Sequence, residues 1–130
     1  MKKIHSQINV NIYYEDTDFS GFVYHANYLK FFERGREHAF GQKNLLDFFG
    51  KKNLQFVVKS LKIDYLKPVK FAESLLIDSE ALLTNSPRIK FQQRALSSWS
   101  GELVCQAEVE IVCIDSSGRP KRLENDFPLV

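Results

Sequence analysis

A chain of 130 residues is the size of one domain, with room for one hydrophobic core and hardly a second. Hydrophobic residues make up 44% and charged residues 26%, the balance of a folded globular protein, which excludes a disordered chain. Lys and Arg (18) against Asp and Glu (16) leave a net charge of +2, too small for nucleic-acid binding by bulk charge, although a few local cations can still hold an anionic ligand.

The opening MKKIHSQINVN has two lysines with no apolar run behind them, so it does not read as a secretory signal. No stretch approaches the roughly 18 apolar residues of a membrane span. The expected location is the cytoplasm. Cys105 and Cys113 fall on one predicted strand, roughly 26 Å apart along it. A disulfide needs Cα atoms within about 7 Å, so two buried thiols in a reducing compartment are expected.

Ile4, Ile8, Val10, Ile12 and Tyr14 share parity, with polar residues between them, which predicts a half-buried strand. The segment from Glu15 to Gly21 is a polar loop. From Asn27 the period changes: Tyr28, Phe31, Phe32, Gly35 and Ala39 predict a largely buried helix, Asn27 to Phe40, closed near Gly41, with Asn27 as its N-cap. Gly35 inside this pattern predicts a close backbone contact. A short helical turn is expected at Leu45 to Phe49, ended by Gly50. Strands follow at Phe56–Phe71, Leu75–Leu83, Ile89–Ala95 and Leu103–Cys113, with turns at 72–74, 85–87 and 100–101 and a polar tail from Arg119 to Val130. Short turns imply antiparallel neighbours. The expected class is α+β in a single domain over residues 1–130, with a sheet face and edges left for a second copy to cover.

Residues 13–33 carry the chemistry. Glu15, Asp16 and Asp18 precede a helix start, where backbone amides stabilise developing negative charge. A carboxylate beside such amides suits attack on a carbonyl. Asp16 and Asp18 also suit Asx turns that organise the loop. The Asp-Thr-Asp cluster has no further acids at EF-hand spacing, so no metal is expected. No G-x-S-x-G elbow is present, and Cys105 has no evident base beside it.

The string Tyr14, Asp16, Thr17, Asp18, Gly21, Val23, His25, Asn27, Tyr28, Phe31 and Glu33 resembles the signature of the YbgC-like acyl-CoA thioesterases, grouped with the 4-hydroxybenzoyl-CoA thioesterases in the hotdog-fold superfamily. The likeness continues through Phe56-Val57-Val58, Asp64 to Val69, Ser86 to Gln93 and Asp115 to Leu123, so it covers nearly the whole chain. It implies a hotdog fold, in which a curved antiparallel sheet of five to six strands wraps one long central helix. It implies homodimers, often paired into tetramers, with sites at subunit interfaces. It also implies hydrolysis of acyl-CoA to free acid and coenzyme A without metal or redox cofactor, acyl carrier protein being a second possible thiol carrier.

By the same resemblance Asp18 is the catalytic carboxylate, as nucleophile or general base. His25 helps position substrate or leaving sulfur, and Tyr24, His25 and Ala26 form the region that polarises the thioester carbonyl. Tyr14 shapes the loop. Val57 and Val58 are substrate-binding candidates, and Lys67, Arg88 and Lys90, with the cluster Arg119, Lys121 and Arg122, are candidate cations for CoA phosphates. Two rivals are a hotdog hydratase or dehydratase, whose Pro-rich loop after the histidine is missing here, and a thioester-binding module with a decayed site, which the intact Asp18 and His25 oppose.

Overall fold

A computed structural model describes residues 2–123; the predicted tail beyond Leu123 lies outside the described residues. Strand β1 (Lys2–Asn11) leads through a short 3-10 turn (Tyr14–Asp16) and a loop into helix α1 (Asn27–Phe40). Helix α2 (Gln42–Lys52) and strands β2 (Gln55–Tyr65), β3 (Ser74–Leu83), β4 (Arg88–Ser97) and β5 (Leu103–Ile114) follow. The strands form one antiparallel sheet in the order β1-β3-β4-β5-β2. This is the expected α+β class.

Helix α1 packs on the inner sheet face. Tyr28, Phe31, Phe32, Ala39 and Phe40 are buried with Leu75, Ile77, Ile89, Phe91 and Val109; full burial of each such phenylalanine contributes about 1.5–3 kcal/mol. The helix lies tight against the sheet at Gly35. A Cβ there would lie 2.5 Å from Ser79 Oγ and 3.1 Å from Gln93 Nε2. Ser6 Oγ donates to the Gly35 carbonyl (2.9 Å), and Gln93 Nε2 donates to Phe32 O (2.8 Å) and Ser79 Oγ (2.7 Å). Arg36 Nη1 donates to Gln93 Oε1 (2.9 Å). A polar clasp thus fixes helix to sheet inside the core, with its groups mutually satisfied.

Four sequence expectations change. β2 ends at Tyr65, short of Phe71, and does not pair with β3. It lies at the far edge beside β5, and residues 66–73 cross the end of the sheet to reach β3. That crossing segment supports the loop after β1: Val23 N donates to Val69 O (2.8 Å), and Ala72 N to Ile12 O (3.0 Å). Helix α2 runs eleven residues through Gly50 and stops at Asn53, a left-handed residue (φ 55°). It is held by Phe40 and Phe48, which stack on Phe56 at 4.8 and 5.1 Å.

Tyr14 is not on β1; the strand stops at Asn11 and Tyr14 is exposed in the 3-10 turn, its ring edge-on to Phe71. The outer sheet face carries cross-strand polar pairs, Lys3 with Glu80, Arg94 with Asp78 and Lys90 with Glu108, beside the exposed Leu82. The edge strand β2 leaves Val57, Val58 and Leu61 exposed. Cys105 and Cys113 are unpaired and buried, as expected; burial pushes their thiols up to about 12, with Asp64 adding to the rise at Cys105, and about 11.

Candidate active site

The loop between β1 and α1 is built on Asp16. Its Oδ2 accepts from the Tyr13 amide (2.8 Å), its Oδ1 from Asn27 Nδ2 (3.0 Å) and its carbonyl from the Tyr24 amide (2.8 Å). These bonds turn the chain out of β1 and bring it back to the start of α1. Asn27 is therefore not the N-cap; Ala26 occupies that position, and Asn27 spends its side chain on Asp16.

Asp18 sits at the tip. Its amide donates to Phe22 O (3.0 Å), its carbonyl accepts from Gly21 N (3.0 Å), and Gly21 takes φ +85°, which its missing Cβ allows. The Asp18 carboxylate is fully exposed yet ordered from one side. Its Oδ1 accepts from both the amide (2.8 Å) and the hydroxyl (2.5 Å) of Ser20, while Oδ2 accepts from no described residue. The Ser20 hydroxyl, then the Ser20 amide and the nearby His25, hold its carboxyl below the usual carboxylate range. Ser20 was not among the sequence candidates, although an Asp two residues before a Ser is the spacing of an Asx turn.

At the helix start, Asn27 N donates to Tyr24 O (2.9 Å) and Leu29 N to Ala26 O (3.1 Å). Among the described residues nothing accepts from the amides of His25 and Ala26, which are left as free donors. The His25 ring is exposed, 4.6 Å from the Tyr24 ring and edge-on to Tyr65 at 6.1 Å. Tyr65, at the end of β2, donates its hydroxyl to the His25 carbonyl (2.9 Å) and lies edge-on to Tyr28 (5.7 Å). Sequence reasoning read Tyr65 only as a strand residue.

Two open clefts of about 270 and 290 Å³ run along the β2-facing flank of α1. Leu29, Phe32, Leu61 and Val109 line the one nearer the helix start; Phe40, Phe49, Phe56 and Val57 line the other, and Val58 and Arg36 border both. Burial lowers the Arg36 guanidinium, against the nearby Glu33.

The candidate cations are dispersed. Lys67 lies at the loop end of the sheet, paired with Glu102. Arg88 and Lys90 lie on the outer face near the start of β4, bound to Glu110 (3.7 Å) and Glu108 (3.3 Å). The loop end of the sheet is near Ser97, roughly 30 Å along that strand. Arg119 and Lys121 follow β5, also at the end away from Asp18. Within one chain Tyr24, His25 and Ala26 adjoin at the helix start and His25 is close enough to act on the Asp18 carboxyl, while Arg88 and Lys90 stand apart.

Residues 13–128 match the model of the thioesterase-like superfamily. The acyl-CoA thioesterase YbgC of Haemophilus influenzae is 39% identical over 111 residues, 82% of this chain and 78% of that protein. The acyl-CoA thioester hydrolase YbgC of Escherichia coli O6:H1 is 35% identical over 111 residues, 82% of this chain and 79% of that one. A solved probable thioesterase from Bartonella henselae superposes with a TM-score of 0.75 at 34% identity, covering 93% of this chain and 99% of the other. The chain therefore belongs to the thioesterase-like superfamily of hotdog proteins, among the YbgC-type acyl-CoA thioester hydrolases.

Proposed function

We propose that this protein hydrolyses acyl-CoA with Asp18 as the catalytic carboxylate and the amides of His25 and Ala26 as the donors to the thioester oxygen. One observation supports the reading: a carboxylate with one oxygen fixed by Ser20 and the other uncovered lies within electrostatic reach of His25, whose amide, with that of Ala26, is a free donor at the helix start. The lowered Asp18 carboxyl keeps the group ionised at neutral pH. It either attacks the carbonyl carbon, expelling the CoA thiolate and leaving a mixed anhydride that water cleaves, or it takes a proton from the attacking water. In both routes charge grows on the carbonyl oxygen, where preorganised amides act most strongly. His25 positions the substrate or the leaving sulfur, and the exposed Tyr14 borders the loop.

The clefts beside α1, with Val57 and Val58 on their rim, suit an apolar acyl group. For the CoA phosphates, Lys67 is the candidate at the same end as Asp18; Arg88 and Lys90 reach a site only across a subunit boundary. The exposed apolar row on the edge strand β2 supports a homodimer, alone or as a dimer of dimers. The two free, buried cysteines support a reducing compartment, the cytoplasm. No described helix is long and apolar enough to cross a membrane.

The test is steady-state release of free thiol from a panel of aliphatic and aromatic acyl-CoAs and acyl carrier proteins, run with and without a chelator. Turnover of at least one thioester, insensitive to the chelator, is expected. No turnover on any carrier would sink the hydrolase reading, and activity that only a divalent ion restores would sink the metal-free one.

A further inference from the structure

Helix α1 opens with a tight turn, Leu29 N donating to Ala26 O (3.1 Å). His25 precedes the N-cap Ala26, so its carbonyl lies outside the helical ladder. The Tyr65 hydroxyl takes it at 2.9 Å. Tyr65 comes from the last position of β2, forty residues away, and its ring is held edge-on by Tyr28 (5.7 Å), itself buried. The contact is thus a strut from the sheet to the first turn of α1.

That strut acts on an amide. The carbonyl of His25 and the N–H of Ala26 belong to one planar trans peptide and point in opposite directions. Fixing the carbonyl toward Tyr65 fixes the Ala26 N–H away from it. Accepting a hydrogen bond at the carbonyl also polarises the peptide and strengthens its N–H as a donor. Without the hydroxyl the carbonyl loses its partner, and the peptide is free to rotate and turn the Ala26 donor with it. Burial raises the Tyr65 phenol, and the nearby Cys105 raises it further, so it stays protonated as a donor throughout the working range.

From this geometry we propose that Tyr65 is a positioning residue for the hydrolysis, aiming and polarising the Ala26 amide at the developing oxyanion through its hydrogen bond to the His25 carbonyl. The inference rests on the reading of Asp18 and the helix-start amides given above. It does not require Tyr65 to touch substrate.

Tyr65→Phe keeps the ring and its contacts and deletes only the hydroxyl. Removing a whole oxyanion donor costs about 10²–10³-fold in kcat. A donor that is present but misaimed and less polarised should lose about 10-fold, with KM within about two-fold of the parent, because the amide matters most in the transition state. The thermal midpoint should hold, since the residue is half-exposed and its packing is retained. Asp18→Asn is measured beside it on the same acyl-CoA. A kcat loss in both variants at constant KM supports the proposal. Unchanged kcat in Tyr65→Phe with a dead Asp18→Asn overturns the role of Tyr65 and leaves the site reading intact. A raised KM at unchanged kcat also overturns it, making Tyr65 a substrate contact. Parental rates in both variants sink the two readings together. A loss in Tyr65→Phe alone sinks only the assignment of Asp18.

Discussion

The Ser20 hydroxyl donates to Asp18 Oδ1 at 2.5 Å, and the Ser20 amide reaches the same oxygen at 2.8 Å. One edge of the carboxylate is tied down by its own loop, and the other edge is available. Asp18→Asn keeps the size of the side chain and its contact with Ser20 but removes the ionised oxygen. We expect kcat to fall about 10²–10⁴-fold, with KM little changed, in steady-state assays. A variant retaining the parental kcat would place the chemistry elsewhere.

The same contact sets the pH response. The Ser20 hydroxyl is the largest of the influences that hold the Asp18 carboxyl below its ordinary range, followed by the Ser20 amide and then His25. The active form is the ionised one, so activity is complete above the folded pKa and is lost as pH falls through it. Ser20→Ala deletes the hydroxyl bond and leaves the amide bond. The carboxyl should rise toward its ordinary range, and the acid limb of kcat/KM should move to higher pH. An unmoved limb would mean that Asp18 is not the group titrating there.

Asp16 differs from its neighbour in kind. Both of its oxygens already accept from N–H donors, the Tyr13 amide and the Asn27 side chain. In Asp16→Asn, either orientation of the new amide sets an NH₂ against one of those donors. A donor left without an acceptor costs about 1–3 kcal/mol. The expected result is a lower urea midpoint for this variant, in contrast to Asp18→Asn, where stability should be close to parental. Equal stability of the two would refute the division of the loop into one structural and one reactive carboxylate.

Helix α1 was legible to the residue, because its spacing of three and four is strong and Gly41 follows it directly. The alternation on β5 was equally plain, with Cys105, Ala107, Val109, Ile111 and Cys113 all facing inward. The place of β2 was not legible. Its pairing with β5 follows from wrapping a sheet around a helix, a tertiary constraint that no turn between β2 and β3 announces. The extension of α2 past Gly50 depends on Phe48 reaching Phe56, which no local period encodes. At the site, the signature supplied Asp18 and His25 as candidates by resemblance, whereas Ser20 was missed despite a local signal. Tyr65 had none, since its partner is forty residues away.

The open edge of β2 leads to an assembly prediction. Val57, Val58 and Leu61 are exposed beside clefts lined by apolar side chains of α1 and β5. Left uncovered, such an edge templates aggregation. Light scattering on an active sample at micromolar concentration should give a mass of at least two chains. Val58→Glu should lower that mass or the solubility. An active monomer would overturn this expectation.

Two glycines give a paired test of the core. Gly50 lies inside α2 with nothing within 4 Å of an added Cβ. Gly50→Ala should stabilise the protein by about 0.5–1 kcal/mol through helix propensity alone. Gly35 has the same intrinsic preference for alanine but a different surrounding. An added Cβ would stand 2.5 Å from Ser79 Oγ, a short side chain on a central strand that is already bonded to Gln93. Relief would require displacing Ser79 and, with it, the Gln93 bond to the Phe32 carbonyl, so overpacking adds to the loss of buried hydrogen bonds. These terms exceed the propensity gain, and Gly35→Ala should destabilise by about 2 kcal/mol. Urea unfolding monitored by the far-UV signal, with the slope unchanged, measures both variants. A rise in midpoint for Gly50→Ala and a fall for Gly35→Ala is the expected outcome. A rise for both would mean that α1 can lift from the sheet at Gly35, and that the clasp through Ser6, Ser79 and Gln93 does not fix its position.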